Sequence, residues 1–244
     1  MLSAVLFDLD GTLVDSAADL RDALNAVLAE EALAPLDLDA VKDMVGDGVQ
    51  KLVERGLLAR GGDLARLPER VRRFMALYGD APARLTRPYP QVPETLARLR
   101  QTGLRLAVVT NKPHAVTLAI LDALELSPFF DAVVGGDTLP LRKPDPAPLR
   151  HAMAALGAAP AETLMVGDNR HDVEAARAAG MRAAVVTYGY AHGPVAGMGA
   201  DWAIGSFGAV LEVVEAARRD TGRTDRARPS LPAEGEAESA KRTG

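Results

Sequence analysis

The sequence predicts an α/β protein: a doubly wound parallel sheet into which a small α-helical cap domain is inserted. Three observations carry that reading. Ala4-Val5-Leu6-Phe7 is a continuous apolar run, the pattern of a strand buried on both faces. From Pro88 onward, short apolar runs alternate with helical patterns, as repeated strand, crossover helix and strand units do. Between these regions, residues 17–87 carry helical periodicity and no convincing strand.

The first strand runs directly into Asp8-Leu9-Asp10-Gly11-Thr12. In open α/β sheets ligands bind just beyond the carboxyl ends of strands, which is where Asp8 and Asp10 fall. Two carboxylates at this spacing suit a nucleophile beside a general acid, or two contributors to one hard cation. The same residues also read as an Asx-type turn closing a strand, so context has to decide. Leu20, Leu24, Val27 and Leu28 then recur at helical spacing across 17–31. Helical patterns over 37–45, 48–60 and 66–79 follow, separated by Pro35, Gly46, Gly48 and Gly61-Gly62, and the insertion is expected to sit as a lid above the carboxyl edge of the sheet.

After Pro88 the expected order is helix 93–102, strand 104–109, helix 114–124, strand 131–134, helix 147–156, strand 163–166, helix 171–179 and strand 182–186. This divides the chain into a core (1–16 and 88–217), a helical cap (17–87) and a segment 218–244. The last mixes charges with Pro, Gly, Ser and Ala, buries too little apolar area to offset its ordering entropy, and is expected to be a disordered tail.

Composition narrows the chemistry. With 244 residues, 48% hydrophobic and 25% charged, the chain matches a soluble globular protein, and its net charge of -5 gives no general attraction to nucleic acid or anionic membranes. It has no cysteine, which excludes disulfides, thiolate metal sites and cysteine nucleophiles and fits a reducing compartment. The first apolar run is stopped by Asp8, so neither a signal peptide nor a membrane span is indicated and a cytoplasmic protein is expected. The four histidines (His114, His151, His171, His192) show no metal-site pairing. Only five of the 28 cationic residues are lysines (Lys42, Lys51, Lys112, Lys143, Lys241), which draws attention to each internal one.

Other strand ends supply matching groups. Thr110-Asn111 offers a hydroxyl and an amide that suit phosphate oxygens, or equally a helix cap. Lys143 lies in Arg142-Lys143-Pro144-Asp145-Pro146, a loop stiffened by proline, and Gly167-Asp168-Asn169-Arg170-His171-Asp172 places two carboxylates one helical turn apart. Alone, that last segment is a capped helix start. Together, four strand ends on one edge carry acidic, hydroxyl, cationic and acidic groups in turn, a set that independent capping does not predict.

The ordered set Asp8-Leu9-Asp10-Gly11-Thr12, Thr110-Asn111, Lys143-Pro144 and Gly167-Asp168 with Asp172 resembles the four motifs of the haloacid dehalogenase-like hydrolase superfamily, over roughly residues 2–215. The resemblance implies an Mg²⁺-dependent hydrolase of a small phosphoester. Asp8 would be the nucleophile that forms an aspartyl-phosphate; a carboxylate with an ordinary pKa near 3.9 is already ionised at neutral pH and needs no base. Asp10 would protonate the leaving alkoxide, then deprotonate the attacking water, and lend its backbone carbonyl to the metal. Asp8 and Asp168 would hold Mg²⁺, with Asp172 supporting them from behind or through water. Thr110, Asn111 and Lys143 would offset charge on the transferring phosphoryl oxygens.

Within the superfamily, Val45-Gly46-Asp47-Gly48, Leu52-Val53-Glu54-Arg55, Thr110-Asn111-Lys112-Pro113 and Thr187-Tyr188-Gly189-Tyr190 are most similar to bacterial phosphoglycolate phosphatases. That implies 2-phosphoglycolate as substrate, selected in the cap by Gly46, Asp47, Gly48, Lys51 and Arg55. Gly46 and Gly48 flank a helix start whose N–H groups suit a small anion, and Lys51 or Arg55 would pair with a carboxylate. Asp47 stands where similar proteins often have a neutral residue, and Asn169 where serine or threonine is commoner. Pyrophosphatase, sugar-phosphate phosphatase and phosphomutase remain alternatives, as does a non-catalytic phosphometabolite sensor on the same fold; a dehalogenase would not need Asp10 as a proton donor. A monomer and a homodimer are equally compatible with the sequence.

Overall fold

The computed structural model of the chain describes residues 1–190 and 195–225. Six strands form one parallel sheet: β1 (Ala4–Phe7), β4 (Arg105–Val109), β5 (Ala132–Val134), β6 (Thr163–Gly167), β7 (Arg182–Val186) and β8 (Trp202–Ile204). Their spatial order is β5-β4-β1-β6-β7-β8. β1 is therefore flanked by β4, in register Ala4↔Arg105 to Phe7↔Val108, and by β6, in register Ala4↔Thr163 to Phe7↔Val166. The chain leaves β1 in one direction and returns beside it in the other, so the topological switch point lies at β1, where a crevice opens beyond the carboxyl ends of the strands.

The two-residue period of β1 divides its side chains between two apolar layers. Val5 and Phe7 join a cluster with Leu96 and Leu99 of α5 (Val92–Gln101), Ile120 of α6 (His114–Ala123), and Val210 and Val214 of α9 (Val210–Asp225). Ala4 and Leu6 face the other layer, with Leu149 and Met153 of α7 (Ala147–Leu156) and Val173 and Ala176 of α8 (Arg170–Ala178). Burial on both sides is why β1, β4, β6 and β7 read as unbroken apolar runs.

Between Asp15 and Arg87 lie four helices, α1 (Ala17–Glu30), α2 (Leu38–Lys42), α3 (Val49–Leu58) and α4 (Leu67–Gly79). α1 buries Leu20, Ala23, Leu24, Val27 and Leu28, a stripe at i, i+3, i+4, i+7 and i+8. Leu57 of α3 and Phe74 of α4 fall in the same cluster, which is continuous with Val5 and Phe7 of the sheet. The ends of this helical unit are tied by a short antiparallel pair, β2 (Val14–Asp15) with β3 (Arg87–Pro88).

Three features depart from the sequence-based expectations. β2 and β3 are two residues each, too short for a periodic signal. The sheet has a sixth strand, β8, after the five expected; Trp202-Ala203-Ile204 is a three-residue edge strand. α9 continues to Asp225, beyond Arg218, where the tail was expected to begin; its apolar face, Val210, Val213, Val214 and Ala217, packs into the core before that point. The remainder of the expected tail lies outside the described residues, as does His192.

Candidate active site

Asp8 follows the last residue of β1, and its N–H donates to Val166 O of β6 at 2.9 Å, which fixes the backbone at the switch point. Lys143 comes from the loop between β5 and α7. Its Nζ donates to Asp8 Oδ1 at 2.9 Å, to Asp172 Oδ1 at 2.6 Å and to Val109 O at 2.6 Å. All three donor positions of the ammonium are thus filled. Burial alone would pull the pKa of Lys143 down; Asp172 and Asp8 outweigh it and hold the lysine above its ordinary value. Burial pushes Asp8 up to about 6, with Lys143 opposing the rise and Asp172 and Asp10 adding to it.

Asp168 follows the last residue of β6 and Asp172 lies in the first turn of α8. Asn169 caps that helix, its side chain accepting from His171 N–H at 3.2 Å while Asp172 Oδ2 accepts from Asn169 N–H at 3.1 Å. Both oxygens of Asp172 are therefore occupied. Asp168 Oδ2 accepts from Tyr190 N–H at 2.6 Å, and burial, then the charges of Asp8 and Asp172, push its pKa well above the ordinary carboxylate range. One oxygen from each of Asp8, Asp168 and Asp172 can be chosen so that the three lie within 4.8 Å of one another. An all-oxygen donor set on buried, mutually repelling carboxylates fits a hard divalent cation such as Mg²⁺, whose charge would relieve the repulsion. Gly11, with φ +84°, lets the turn after Asp10 pass against this cluster: a Cβ there would lie 2.1 Å from Asp168 Oδ2.

Asp10 accepts from Lys112 Nζ at both carboxylate oxygens, 3.0 and 2.9 Å, and from Ser16 Oγ. Thr110 is buried, with Oγ1 accepting from Lys112 N–H at 3.2 Å. Asn111 is used differently from the sequence-based expectation. Its Nδ2 donates to Lys143 O and to Gly46 O, both at 2.9 Å, and Oδ1 accepts from Lys143 N–H at 3.0 Å. Its amide is consumed in bracing the lysine loop against the helical unit, which leaves no side-chain donor for a phosphate.

Asp8, Asp10, Thr110, Lys112, Lys143, Asp168 and Asp172 line a cavity at the sheet edge, roofed by Leu20, Val45, Gly46, Gly48, Val49 and Leu52 of the helical unit. Of the five residues expected to select the substrate, Gly46 and Gly48 line this cavity. Lys51 is half exposed and paired with Glu54 at 2.9 Å. Arg55 donates to Asp47 and to Met44 O, and Asp47 also faces His171 Nδ1 at 3.4 Å. The negative charge of Asp47 is thus met by Arg55 and does not stand free beside an anion site. Two residues absent from the sequence-based set belong to it in space, Lys112 and Tyr190. The scarcity of lysine was a usable signal for Lys112; Tyr190 lies in the Thr187-Tyr188-Gly189-Tyr190 segment that carried the resemblance, but its N–H contact depends on how the loop after β7 folds.

A family model described as haloacid dehalogenase-like hydrolase matches residues 5–186. The chain is 48% identical over 206 residues to a phosphoglycolate phosphatase of Rhodospirillum rubrum, covering 82% of this chain and 86% of that one. It is 44% identical over 207 residues to a phosphoglycolate phosphatase of Caulobacter vibrioides, covering 84% and 87%. Among solved structures, a predicted phosphoglycolate phosphatase from Haemophilus somnus superposes with a TM-score of 0.83 at 34% identity, covering 87% of this chain and 97% of that one.

Proposed function

From the premise that the chain belongs to the haloacid dehalogenase-like hydrolase family, we propose that it is a phosphoric monoester hydrolase that converts 2-phosphoglycolate to glycolate and phosphate. The single observation that carries the chemistry is the meeting of Asp8, Lys143, Asp168 and Asp172 at one sheet edge, beneath a roof of apolar side chains. The choice of substrate follows the relatives named above.

Asp8 attacks phosphorus through a carboxylate oxygen and becomes an aspartyl-phosphate, while the bond to the glycolate oxygen breaks and Asp10 gives that oxygen its proton. Water then attacks the phosphorus, the bond to Asp8 breaks, and Asp10 takes the proton of the water. Lys143 offsets the charge of Asp8 and of the phosphoryl oxygens, and the Thr110 hydroxyl can donate to one of them. Mg²⁺ would be held by Asp8, Asp168 and the Asp10 carbonyl, and when bound supplies positive charge beside the phosphoryl oxygens. Asp172 orients Lys143 from behind. Residues 17–87 act as the cap that excludes water and selects the substrate, over a core of 1–16 and 88–217. Among the described residues no helix is long and apolar enough to cross a membrane, and the reading takes a small phosphoester in solution as the partner.

Comparison of kcat/KM for 2-phosphoglycolate, pyrophosphate and hexose phosphates with Mg²⁺ tests the reading. A preference for 2-phosphoglycolate is expected; a preference for pyrophosphate or a sugar phosphate would overturn the substrate and leave the chemistry intact.

A further inference from the structure

Lys112 takes no part in the steps above, yet its side chain is only 3% exposed. Its Nζ donates to both oxygens of Asp10 and lies 4.7 Å from the centroid of the Tyr78 ring. Tyr78 belongs to α4 of the helical unit, Asp10 to the turn after β1 and Lys112 to the loop after β4, so this contact joins three separated parts of the chain. A lysine with no role beyond solubility keeps its ammonium in water. This one is enclosed between a carboxylate and an aromatic face.

We propose that Lys112 is a positioning residue for Asp10, holding its carboxylate in the orientation that receives the proton of the attacking water. The inference rests on the reading of Asp10 as proton shuttle. In the hydrolytic step the water oxygen bonds to phosphorus, the electron pair of the breaking P–O bond returns to Asp8, and the water proton passes to an Asp10 oxygen. That transfer needs an acceptor lone pair in a fixed direction. A carboxylate beside a glycine turn rotates about its terminal torsion, which is broad. An ammonium that bridges both oxygens, with the Ser16 hydroxyl on one of them, stops the rotation and leaves further acceptor sites on the same oxygens. The Tyr78 ring face keeps the ammonium in place.

The two halves of the cycle separate with 4-nitrophenyl phosphate, whose leaving group departs without a proton, so that only the second half needs Asp10. Rapid-mixing measurements with Mg²⁺ on Lys112→Met should show first-turnover nitrophenol release within about threefold of the unaltered protein, while steady-state turnover falls by about 10- to 100-fold, a part of the usual contribution of general acid–base catalysis. Lys112→Arg keeps a cation between Asp10 and Tyr78 and should recover steady-state turnover to within about tenfold. Both phases falling by one common factor, or an unchanged steady state, would overturn the proposal. Circular dichroism establishes that Lys112→Met is folded. Should it not be, Tyr78→Leu carries the test, with slower steady-state turnover and an unchanged first turnover again the expected result. An unaltered protein that releases no nitrophenol overturns the phosphatase reading beneath the proposal, whereas normal release with no separation of phases overturns the proposal alone.

Discussion

At the residue scale, the site is a cluster of carboxylates that the fold buries and Lys143 only partly neutralises. Asp8, raised to about 6, must be ionised to act as a nucleophile. Activity should therefore fall on the acid side below about pH 6, and added Mg²⁺, which favours the ionised carboxylate, should move that limb lower. An acid limb that ignores Mg²⁺ would count against Asp8 as a ligand. Stability runs with the opposite sign. A carboxyl whose folded pKa is raised contributes stability that is complete below its unfolded value of 3.8 and is lost as pH rises through about 6. Mg²⁺ at about ten times its Kd restores about 1.4 kcal/mol. Its effect on Tm should be larger at about pH 7.5 than at about pH 5, checked by calorimetry with and without chelator. Lys143→Met should lower stability by about 3–5 kcal/mol in urea unfolding and abolish turnover, because it leaves buried carboxylates without their cation. A variant as stable as the unaltered protein would show that the cluster relaxes by protonation instead.

At the element scale, Asp8, Thr110 and Asp168 were legible as candidates because each follows an apolar run in the sequence. Asp8 after β1, Thr110 after β4 and Asp168 after β6 share an edge because parallel strands point one way. The contacts between elements were not legible. Asn111 reads as a phosphate ligand or cap from sequence, but its partners, the Lys143 backbone and Gly46 O, depend on how two loops meet. Lys51 and Arg55 fall on helical positions that suit an anion, yet α3 turns one toward Glu54 and the other toward Asp47 and Met44 O. The start of α1 is a further case. Ser16 gives α1 no side-chain cap, since its hydroxyl is committed to Asp10. Tyr190, 174 residues away, receives Ser16 N–H at 2.8 Å and Ala17 N–H at 3.0 Å and donates to Asp15 at 2.6 Å. Tyr190→Phe leaves the buried Ser16 N–H without its acceptor and Ala17 N–H with only Asp15 Oδ1 at 3.3 Å, and should cost about 1–3 kcal/mol in urea unfolding. A change below a few tenths would mean that another acceptor takes them.

At the scale of the whole molecule, one apolar cluster runs from Val5 and Phe7 of the sheet to Leu24, Leu57 and Phe74 of the helical unit. The two parts should therefore unfold together. Fluorescence of Trp202, the single tryptophan, reports on the sheet edge, and far-UV circular dichroism reports on all helices. Coincident urea transitions are expected, and an earlier loss of helix would show that the helical unit melts alone. The same continuity places a roof on the crevice at β1, so the chemistry of the strand ends and the enclosure that protects it are products of a single fold. The most direct test of the central claim, that Asp8 accepts the phosphoryl group, is acid quenching of a single turnover of 2-phosphoglycolate with Mg²⁺, followed by mass spectrometry of the peptide that contains Asp8. The mechanism predicts a phosphoryl adduct on that peptide and no adduct or turnover in Asp8→Asn; turnover by Asp8→Asn at the unaltered rate would contradict it.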